Sequence, residues 1–451
     1  MAARVLQGEP MSLPDSPILQ EMINSCKRHG DRVYLEDVRT KKQSTFQEVL
    51  DNAGAISSTL RQLGQCPGKV VIIMSDTTVE SITANLGTWL SGAASACINP
   101  TLPTEEIFYF LKTCSSEVIF CKEDCLEKVK EVVSHLDWNI TIICPNCQDG
   151  VLDYYRCLEE GNSAEGILLE GWWTGKDHAL AVVFTSGTTG TPKGVVIRDE
   201  ALMFNVFMKN YWTESSILLL TTPMYWVSNT LVTIISSCAG SKVLIASRMS
   251  VKEIMNTITE CKPTEWFTGP SVLIDMCQEE NLDKYDFSSL QVLSIGGSIL
   301  LPEHRKMITQ KILKNQHRIR SMYGCSEAGM ISFDQTIPNI DSPKIASIGK
   351  VAKGTTVKIA PAELENLIQK HPDVIESCVV GKTCHEQGGD LPAAFVVKKS
   401  GSKLSEEELH SYISDNVIDE KKLRGGIFFV DSLPKSPVGK ILRHQLRKQL
   451  V

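Results

Sequence analysis

The stretch VVFTSGTTGTPKG, residues 182–194, runs from apolar residues into hydroxyls, glycines and one lysine. Its first three residues predict a buried strand, after which the chain becomes small and polar. Glycines let successive backbone N–H groups turn towards one point, and such a nest binds anions. Lys193 adds a mobile positive charge, so the loop suits the phosphates of a nucleotide. The candidate phosphate ligands are Thr185, Ser186, Gly187, Thr188, Thr189, Gly190 and Lys193.

This loop does not follow the two commonest nucleotide-binding patterns. Pro192 stands where the Walker pattern requires its second glycine, and the glycine spacing does not fit the dinucleotide fingerprint. From composition alone, a glycine-rich surface turn with a solvated lysine stays open as the alternative.

On both sides of this loop, short apolar strands alternate with helical segments. KVVIIMSD (69–76) predicts a buried strand and is followed by the helical pattern ESITANLGTWLSGA (80–93). The same rhythm recurs in HALAVVFTSG, SILLLTTP, SKVLIAS, EWFTGP and LQVLSIGG. Residues 17–64 carry helical patterning, with one apolar face made of Phe46, Val49, Leu50, Ala53 and Ile56. The alternation predicts an α/β architecture with parallel sheets.

The end of the chain reads as a separate small α+β unit from about residue 360. PAELENLIQK (361–370) predicts a helix with Pro361 at its first position. HPDVIESCVVG and LPAAFVVKKSG predict two strands, and Ser405 with Glu408 forms a capping box for the next helix.

A second polar motif is SMYGCSEAG (321–329). Tyr323 can stack on a flat base, and Gly324 allows close backbone approach. Glu327 is a hard oxygen ligand suited to magnesium, with the Ser326 hydroxyl beside it. Alone, this motif would be read as a turn with a surface glutamate.

A third motif is LPKSPVGKILRHQLRKQL (433–450). Pro437 and Gly439 predict a loop, and Lys440 is predicted to open a basic helix. A solvated basic helix is the plainer interpretation, because most charge runs are solvated.

Composition limits the class of protein. The chain has 451 residues and a net charge of −7, so no global positive field attracts nucleic acid. The 15 cysteines without a secretory signal suggest reduced thiols, and the CxxC of Cys144 and Cys147 lacks the second knuckle of a zinc site. No apolar run reaches membrane-spanning length. The ending KQLV is not the peroxisomal address SKL, so the cytosol is expected.

The three motifs, in this order, resemble the adenylate-forming superfamily, which includes acyl-CoA synthetases, coumarate–CoA ligases, firefly luciferases and peptide-synthetase adenylation domains. The resemblance covers nearly the whole chain. TSGTTGTPKG is close to a perfect match to the family's phosphate loop, and YGCSEAG matches YGxTE with Ser326 in place of threonine. PKSPVGKILR matches the final lysine motif. The coumarate-ligase and luciferase branch is the most similar.

The resemblance implies a large N-terminal domain, residues 1–359, with halves of about 1–180 and 181–340. This domain would have two parallel-type sheets layered with helices plus a truncated β subdomain, and residues 360–451 would form the small α+β domain. The implied activity is that of an ATP-dependent carboxylic acid–CoA ligase on a fatty or aromatic acid. Its implied partners are the acid, ATP, Mg²⁺ and coenzyme A; the resemblance does not indicate the oligomeric state.

The resemblance also assigns roles at the nucleotide. Residues 185–190 and Lys193 would hold the β- and γ-phosphates, and Glu327 would bind magnesium. Tyr323 would flank the adenine. Lys440 would bridge the substrate carboxylate and the phosphate, where charge builds up during adenylation.

For the acid, Gly296 and Gly297 would form a wall facing both adenine and acyl group. Tyr225 and Trp226 lie in PMYWVSN, where the family usually has an aromatic residue, a histidine and then a glycine. Trp226 would cap the pocket, or else pack in the core. Asn229 takes the glycine position and is expected to tolerate a left-handed turn.

One block of the family pattern is missing between Ile359 and Ala360. It normally carries a ribose-binding TGD motif and a GRxKD hinge, and neither string occurs elsewhere in the chain. Its loss is expected to weaken activity and to leave sheet edges unpaired. Two alternatives therefore stay open: a catalytically impaired nucleotide-binding isoform or pseudoenzyme, and a luciferase-like monooxygenase.

Overall fold

The computed structural model describes residues 5–7, 16–147, 150–161, 178–185, 192–206, 212–298, 300–314, 319–333, 350–351, 356–358, 361–384, 389–417, 422–435 and 441–450. Two compact units form: a large one, Ser12–Lys350, and a small one, Met1–Met11 with Val351–Val451. The predicted α/β class, with a large first domain and a small second one, is confirmed. The domain boundaries stay a prediction.

The helices and strands are as follows. The helices are α1 (Ile18–His29), α2 (Phe46–Gln62), α3 (Val79–Ser91), α4 (Thr104–Cys114), α5 (Leu126–Ser134), α6 (Tyr154–Glu160), α7 (Asp199–Val206), α8 (Val227–Ala239), α9 (Val251–Cys261), α10 (Pro270–Gln278), α11 (Pro302–Lys311), α12 (Pro361–Gln369), α13 (Glu406–Asn416) and α14 (Arg443–Arg447). The strands are β1 (Val5–Gln7), β2 (Val33–Asp37), β3 (Gln43–Thr45), β4 (Val70–Met74), β5 (Ala94–Ile98), β6 (Val118–Cys121), β7 (Thr141–Cys144), β8 (Leu152–Asp153), β9 (Ala179–Thr185), β10 (Lys193–Arg198), β11 (Ile217–Leu220), β12 (Lys242–Ile245), β13 (Glu265–Thr268), β14 (Val292–Ile295), β15 (Ile319–Cys325), β16 (Gly329–Phe333), β17 (Lys350–Val351), β18 (Thr356–Lys358), β19 (Val374–Cys384), β20 (Gly389–Lys398) and β21 (Ile427–Phe429).

The first sheet of the large unit has the order β10-β9-β5-β4-β6-β7-β8. Its strands pair in parallel, except that β10 runs antiparallel to β9. Helices cover both faces of a parallel sheet, which is why β4 reads as a continuous apolar run rather than an alternating one. Ile72 and Met74 face one core, and Val71 and Ile73 face another.

The second sheet runs in the order β16-β15-β14-β13-β11-β12-β2-β3. Its central strands are parallel, and β16 and β3 pair antiparallel with their neighbours. Leu218 and Leu220 on β11 face the core shared with α1, α2, α3 and α8, whereas Leu219 faces the core against α9, α10 and α11. The predicted apolar face of α2 is buried as expected, and its Thr45–Glu48 capping box forms.

In the small unit, strands β19, β20 and β21 form a sheet against α12 and α13. The predicted strand pair is the antiparallel hairpin β19–β20, and the Ser405–Glu408 capping box is present. Strand β18 pairs with β1, which joins Val5 to Lys358 in register. The loss of the block was expected to leave sheet edges unpaired, but one edge of β18 is hydrogen-bonded to β1.

Two boundaries differ from the sequence prediction. The helical pattern of residues 17–64 is interrupted, because Gly30 (φ 40°) ends α1 and strands β2 and β3 follow before α2 begins. The basic helix begins at Arg443 and not at Lys440, because Ile441 pairs with Lys435 in an extended bridge. Among the residues described, no helix is long and apolar enough to cross a membrane.

Candidate functional site

The predicted phosphate loop connects the two strands of a hairpin in the first sheet. Thr185 at the end of β9 lies directly opposite Lys193 at the start of β10 in the antiparallel register. The strand before the loop is confirmed, with Val183 buried and its two neighbours partly buried. Lys193 is exposed, and no described residue pairs with its ammonium group. The two ends of the loop are thus fixed beside each other by the sheet.

Helix α4 supports this hairpin base, which the sequence did not reveal. The Tyr109 hydroxyl donates a hydrogen bond of 2.8 Å to the carbonyl of Pro192. The ring of Phe110 packs on that of Phe184, with centroids 4.2 Å apart. An aromatic pair at adjacent positions of a helix would have been the only available signal, and it is also typical of ordinary core packing.

The second motif forms the tip of the β15–β16 hairpin. Ser326 and Glu327 lie in the turn between the strands, with the Glu327 side chain exposed. Tyr323 is 50% exposed at the end of β15. A Cβ on Gly324 would lie 2.4 Å from the carbonyl oxygen of Gly329, so the hairpin itself requires a glycine here.

Gly296 and Gly297 follow β14 at the same edge of the sheet. The Cβ position of Gly296 lies 3.3 Å from the carbonyl oxygen of Met322, so this glycine and the Tyr323 strand are in contact. Gly297 adopts φ 85°, a conformation that favours glycine, and its Cβ position faces open space. The carboxyl ends of parallel strands meet at one edge of a sheet, and ligands of open α/β sheets bind there. Two of the predicted motifs therefore meet at one place.

Tyr225 and Trp226 precede α8. Trp226 is 53% exposed and meets the Tyr225 ring edge to face, with centroids 6.5 Å apart, so packing of this tryptophan in the core is excluded. The expected left-handed turn at Asn229 is wrong. Asn229 lies in the first turn of α8, where its buried amide donates to the Thr222 carbonyl (2.8 Å) and the Thr77 hydroxyl (3.1 Å).

A charged cluster near Tyr225 was missed by the sequence reading. Asp76, just after β4, binds the Lys122 ammonium at 2.9 Å and also the Arg248 guanidinium. Burial raises the pKa of Tyr225, although the positive charge of Arg248 opposes this shift. These groups come from separate strand ends, and no local pattern connects them.

The base of the Lys440 loop is well defined in the small unit. Lys435 pairs with Ile441, and the Leu442 N–H donates to the carbonyl of Pro434 at 2.8 Å. These contacts hold the two ends of the loop together. The segment 436–440 between them lies outside the described residues.

Six candidate residues cannot be placed. Lys440 and five of the phosphate-loop residues lie outside the described part of the chain: Ser186, Gly187, Thr188, Thr189 and Gly190. The junction of Ile359 and Ala360 lies outside it as well. The cysteines whose side chains the structure describes, including Cys144 and Cys147, are free thiols.

Two family models match the chain. The model described as AMP-binding enzyme matches residues 23–373, and that described as AMP-binding enzyme C-terminal domain matches residues 363–440. Among curated relatives, 4-coumarate-CoA ligase 1 of Narcissus pseudonarcissus is 23% identical, with 97% of this chain and 94% of the relative covered.

Solved structures share the fold. ATP-bound MatB from Rhodopseudomonas palustris superposes with a TM-score of 0.63 at 16% identity, covering 96% of this chain and 99% of that one. The luciferase-like enzyme of the nonluminescent mealworm Zophobas morio gives a TM-score of 0.69 at 20% identity, covering 80% and 86%.

Proposed function

The chain belongs to the AMP-binding enzyme family, whose main model alone spans residues 23–373, and we propose from this premise that it is an ATP-dependent carboxylic acid–CoA ligase. It would join the acid to the α-phosphate of ATP with release of pyrophosphate. The thiol of coenzyme A would then take the acyl group, with release of AMP. The observation that carries this proposal is the meeting of Gly296 with the Tyr323 strand at the carboxyl edge of the second sheet. Of the two expected acid classes, aromatic and fatty, the coumarate ligase among its relatives supports the aromatic one.

The described residues fit the parts proposed for them. Attack on phosphorus gathers negative charge, so the site needs fixed positive groups and N–H donors. Lys193 is exposed at the hairpin base and has no ion-pair partner among the described residues, so it can reach phosphate oxygens. Tyr323 offers a half-exposed ring for adenine, and Gly297 leaves open space beside it. The part of Lys440 rests on the resemblance alone.

Magnesium fits the turn of the β15–β16 hairpin. The exposed Glu327 carboxylate supplies one hard oxygen ligand. Mg²⁺ commonly binds through one or two carboxylates together with substrate phosphates and water. Bound there, the ion would neutralise phosphate charge during adenylation.

A second candidate function is that of an impaired nucleotide-binding isoform. The alignment with the Narcissus ligase spans 526 positions, 75 more than the 451 residues of this chain, so the relative has residues without a counterpart here. The two family models overlap at residues 363–373, and β18 ends at Lys358, close before α12 begins at Pro361. These observations support the loss of the block between Ile359 and Ala360.

The test is acid-dependent exchange of labelled pyrophosphate into ATP, with a panel of fatty and aromatic acids. Exchange that disappears in Lys193→Met and Lys440→Ala, but persists in the exposed control Lys27→Met, supports the ligase. No exchange from folded protein, with exchange restored after insertion of a relative's block between residues 359 and 360, supports the impaired isoform. Light from a luciferin, ATP and oxygen would instead indicate the luciferase-like activity.

A further inference from the structure

One face of the second sheet, the face that carries Leu218 and Leu220 of β11, is apolar on some strands and polar on others. In the parallel register, Leu218 of β11 lies beside Glu265 of β13, and Ser294 of β14 lies beside Arg320 of β15. The β11 and β12 side of this face is apolar and belongs to the main core. On β13, β14 and β15 the same face carries Glu265, Ser294 and Arg320, only 6%, 7% and 7% exposed. A row of buried polar groups thus replaces core side chains.

Glu265 lines a small cavity. The cavity has a volume of about 10 Å³ and is bounded in part by Trp212, Val232 and Phe267. Among the described residues, none donates a hydrogen bond to the Glu265 carboxylate. Burial raises the pKa of Glu265 to about 7, against the opposing effect of the Arg320 charge. A buried carboxylate without a hydrogen-bonding partner destabilises the fold, so a bound group that pairs with it would explain its place.

The cavity shares a lining residue with the surroundings of Gly296. The Phe267 ring lines it and also lies 3.3 Å from the Cβ position of Gly296, the proposed wall of the acyl pocket. Glu265 pairs in register with Val292, four residues before Gly296. At 3.3 Å per residue, the Cα atoms of Val292 and Gly296 are separated by roughly 13 Å along the strand. The Glu265 side chain, when it extends towards Gly296, shortens the gap that a substrate has to span. That distance suits an acid with a ring and a short chain.

We propose that Glu265 determines acid specificity by accepting a hydrogen bond from a hydroxyl or amino group at the far end of the substrate. The inference rests on the proposed ligase function and names its substrate class. The cavity has room for about one water molecule, which is the size of such a terminal group. The substrate hydroxyl would fill this space and donate a hydrogen bond to the carboxylate. A methyl group of similar size would leave the carboxylate unpaired.

The test compares two acids of equal length and shape, 3-(4-hydroxyphenyl)propanoate and 3-(4-methylphenyl)propanoate. The ratio of their kcat/KM values in pyrophosphate exchange is measured for wild type, Glu265→Gln, Glu265→Leu and the exposed control Glu260→Leu. We expect wild type and the control to prefer the hydroxy acid at least tenfold. Glu265→Gln, which keeps one acceptor oxygen, retains part of the preference, whereas Glu265→Leu abolishes or reverses it while still using the methyl acid.

An equal ratio in wild type, or an unchanged ratio in Glu265→Leu, overturns the proposal. If no acid supports exchange, the proposed ligase function is wrong. The role of Glu265 is then tested separately, by measuring how tightly the two acids bind. Titration of the same two acids is then followed by the fluorescence of Trp212 and Trp266, which border the cavity. Tighter binding of the hydroxy acid that is lost in Glu265→Leu supports the role of Glu265, and indistinguishable binding contradicts it. Glu265→Gln, isosteric with wild type, keeps the test valid where Glu265→Leu fails to fold.

Discussion

Both terminal guanidinium nitrogens of Arg443 donate hydrogen bonds to the carboxylate of Glu365, and the Nη2–Oε2 distance is 2.7 Å. The same guanidinium donates to the Val379 carbonyl at 2.9 Å, and the Val379 N–H donates back to Glu365 at 2.6 Å. The ion pair therefore joins α12, β19 and α14. Because Arg443 lies three positions after Lys440, the pair also fixes the C-terminal end of that loop.

We predict that Glu365→Gln lowers the free energy of unfolding of the small unit by about 2 kcal/mol, the usual value of a hydrogen bond to a charged group. It should also slow pyrophosphate exchange, because the Lys440 loop loses its anchor. Urea unfolding and the exchange rate are the measurements, with the exposed Glu407→Gln as control. Equal stability of the two variants would show that Arg443 finds another partner.

A second prediction concerns Asp199, whose buried carboxylate accepts hydrogen bonds of 3.0 and 3.3 Å from the Ile18 N–H. Burial raises its pKa from 3.8 to about 6. The folded state then binds more protons than the unfolded state between these values, so the contribution of Asp199 to stability falls as the pH rises through this window. The full difference corresponds to roughly 3 kcal/mol.

The matching measurement is the free energy of unfolding from pH 4 to pH 7 for wild type and Asp199→Asn. The asparagine oxygen can still accept from Ile18, but it does not titrate. The free energy of unfolding of wild type minus that of Asp199→Asn should decrease with rising pH, with the midpoint of the decrease near pH 5. Parallel curves would mean that solvent reaches the carboxylate and that its pKa is ordinary.

A third prediction compares two glycines of similar conformation. Gly240 (φ 71°) ends α8, and a Cβ there would lie 2.3 Å from Nε2 of the buried His29. Gly64 (φ 77°) follows α2, and its Cβ position has no neighbour within 4 Å. Alanine at either site lowers the free energy of unfolding by about 1–2 kcal/mol, because its Cβ disfavours the left-handed backbone conformation. Gly240→Ala should lose a further 1–3 kcal/mol or so through overpacking.

The difference between the two melting temperatures isolates the packing contribution, because the backbone strain is common to both variants. If Gly240→Ala and Gly64→Ala prove equally stable, the His29 ring moves aside without loss. That result would also imply that its 3.2 Å contact with Glu214 contributes little.

Much of this fold was readable because parallel strands buried on both faces are continuous apolar runs. Strand β4 and the five-residue apolar face of α2 were predicted for this reason and are confirmed. Strand β2 was missed because it is no continuous apolar run: it ends in Glu36 and Asp37 and has only two buried residues. Strand β3 was missed because it has three residues, of which one is buried. The Ser405–Glu408 capping box was predicted and is confirmed, since its two residues lie three positions apart in the sequence.

The site was less readable, because its important contacts are distant in sequence. Tyr109 and Pro192 are 83 residues apart, and nothing in either segment points to the other. Glu265 is the first residue of the strand EWFT, and no pattern in the sequence indicated that its side chain is buried. Asn229 was read as a turn residue from family position alone, whereas its amide partners on Thr77 and Thr222 keep it helical.

Asn229 gives a fourth prediction. Restoring the family's glycine, Asn229→Gly, removes two hydrogen bonds from a buried helix turn and adds the helix penalty of glycine. We expect a loss of about 2–4 kcal/mol in the free energy of unfolding. Asn229→Ala, which keeps the helix propensity, should lose about 1 kcal/mol less, and a glycine variant more stable than the alanine variant would contradict the helical assignment.

The last prediction concerns the proposed metal ligand. Glu327→Gln keeps the shape of the hairpin turn and removes one anionic oxygen, so it should raise the Mg²⁺ concentration for half-maximal pyrophosphate exchange at least tenfold, or about 1.4 kcal/mol. The exposed Glu303→Gln on α11 controls for a simple loss of surface charge. A tenfold fall in exchange at saturating Mg²⁺ with an unchanged half-maximal concentration would instead place Glu327 at the nucleotide without the metal. If Glu327→Gln and Glu303→Gln have the same exchange rate and the same half-maximal Mg²⁺ concentration, the β15–β16 turn is not part of the site.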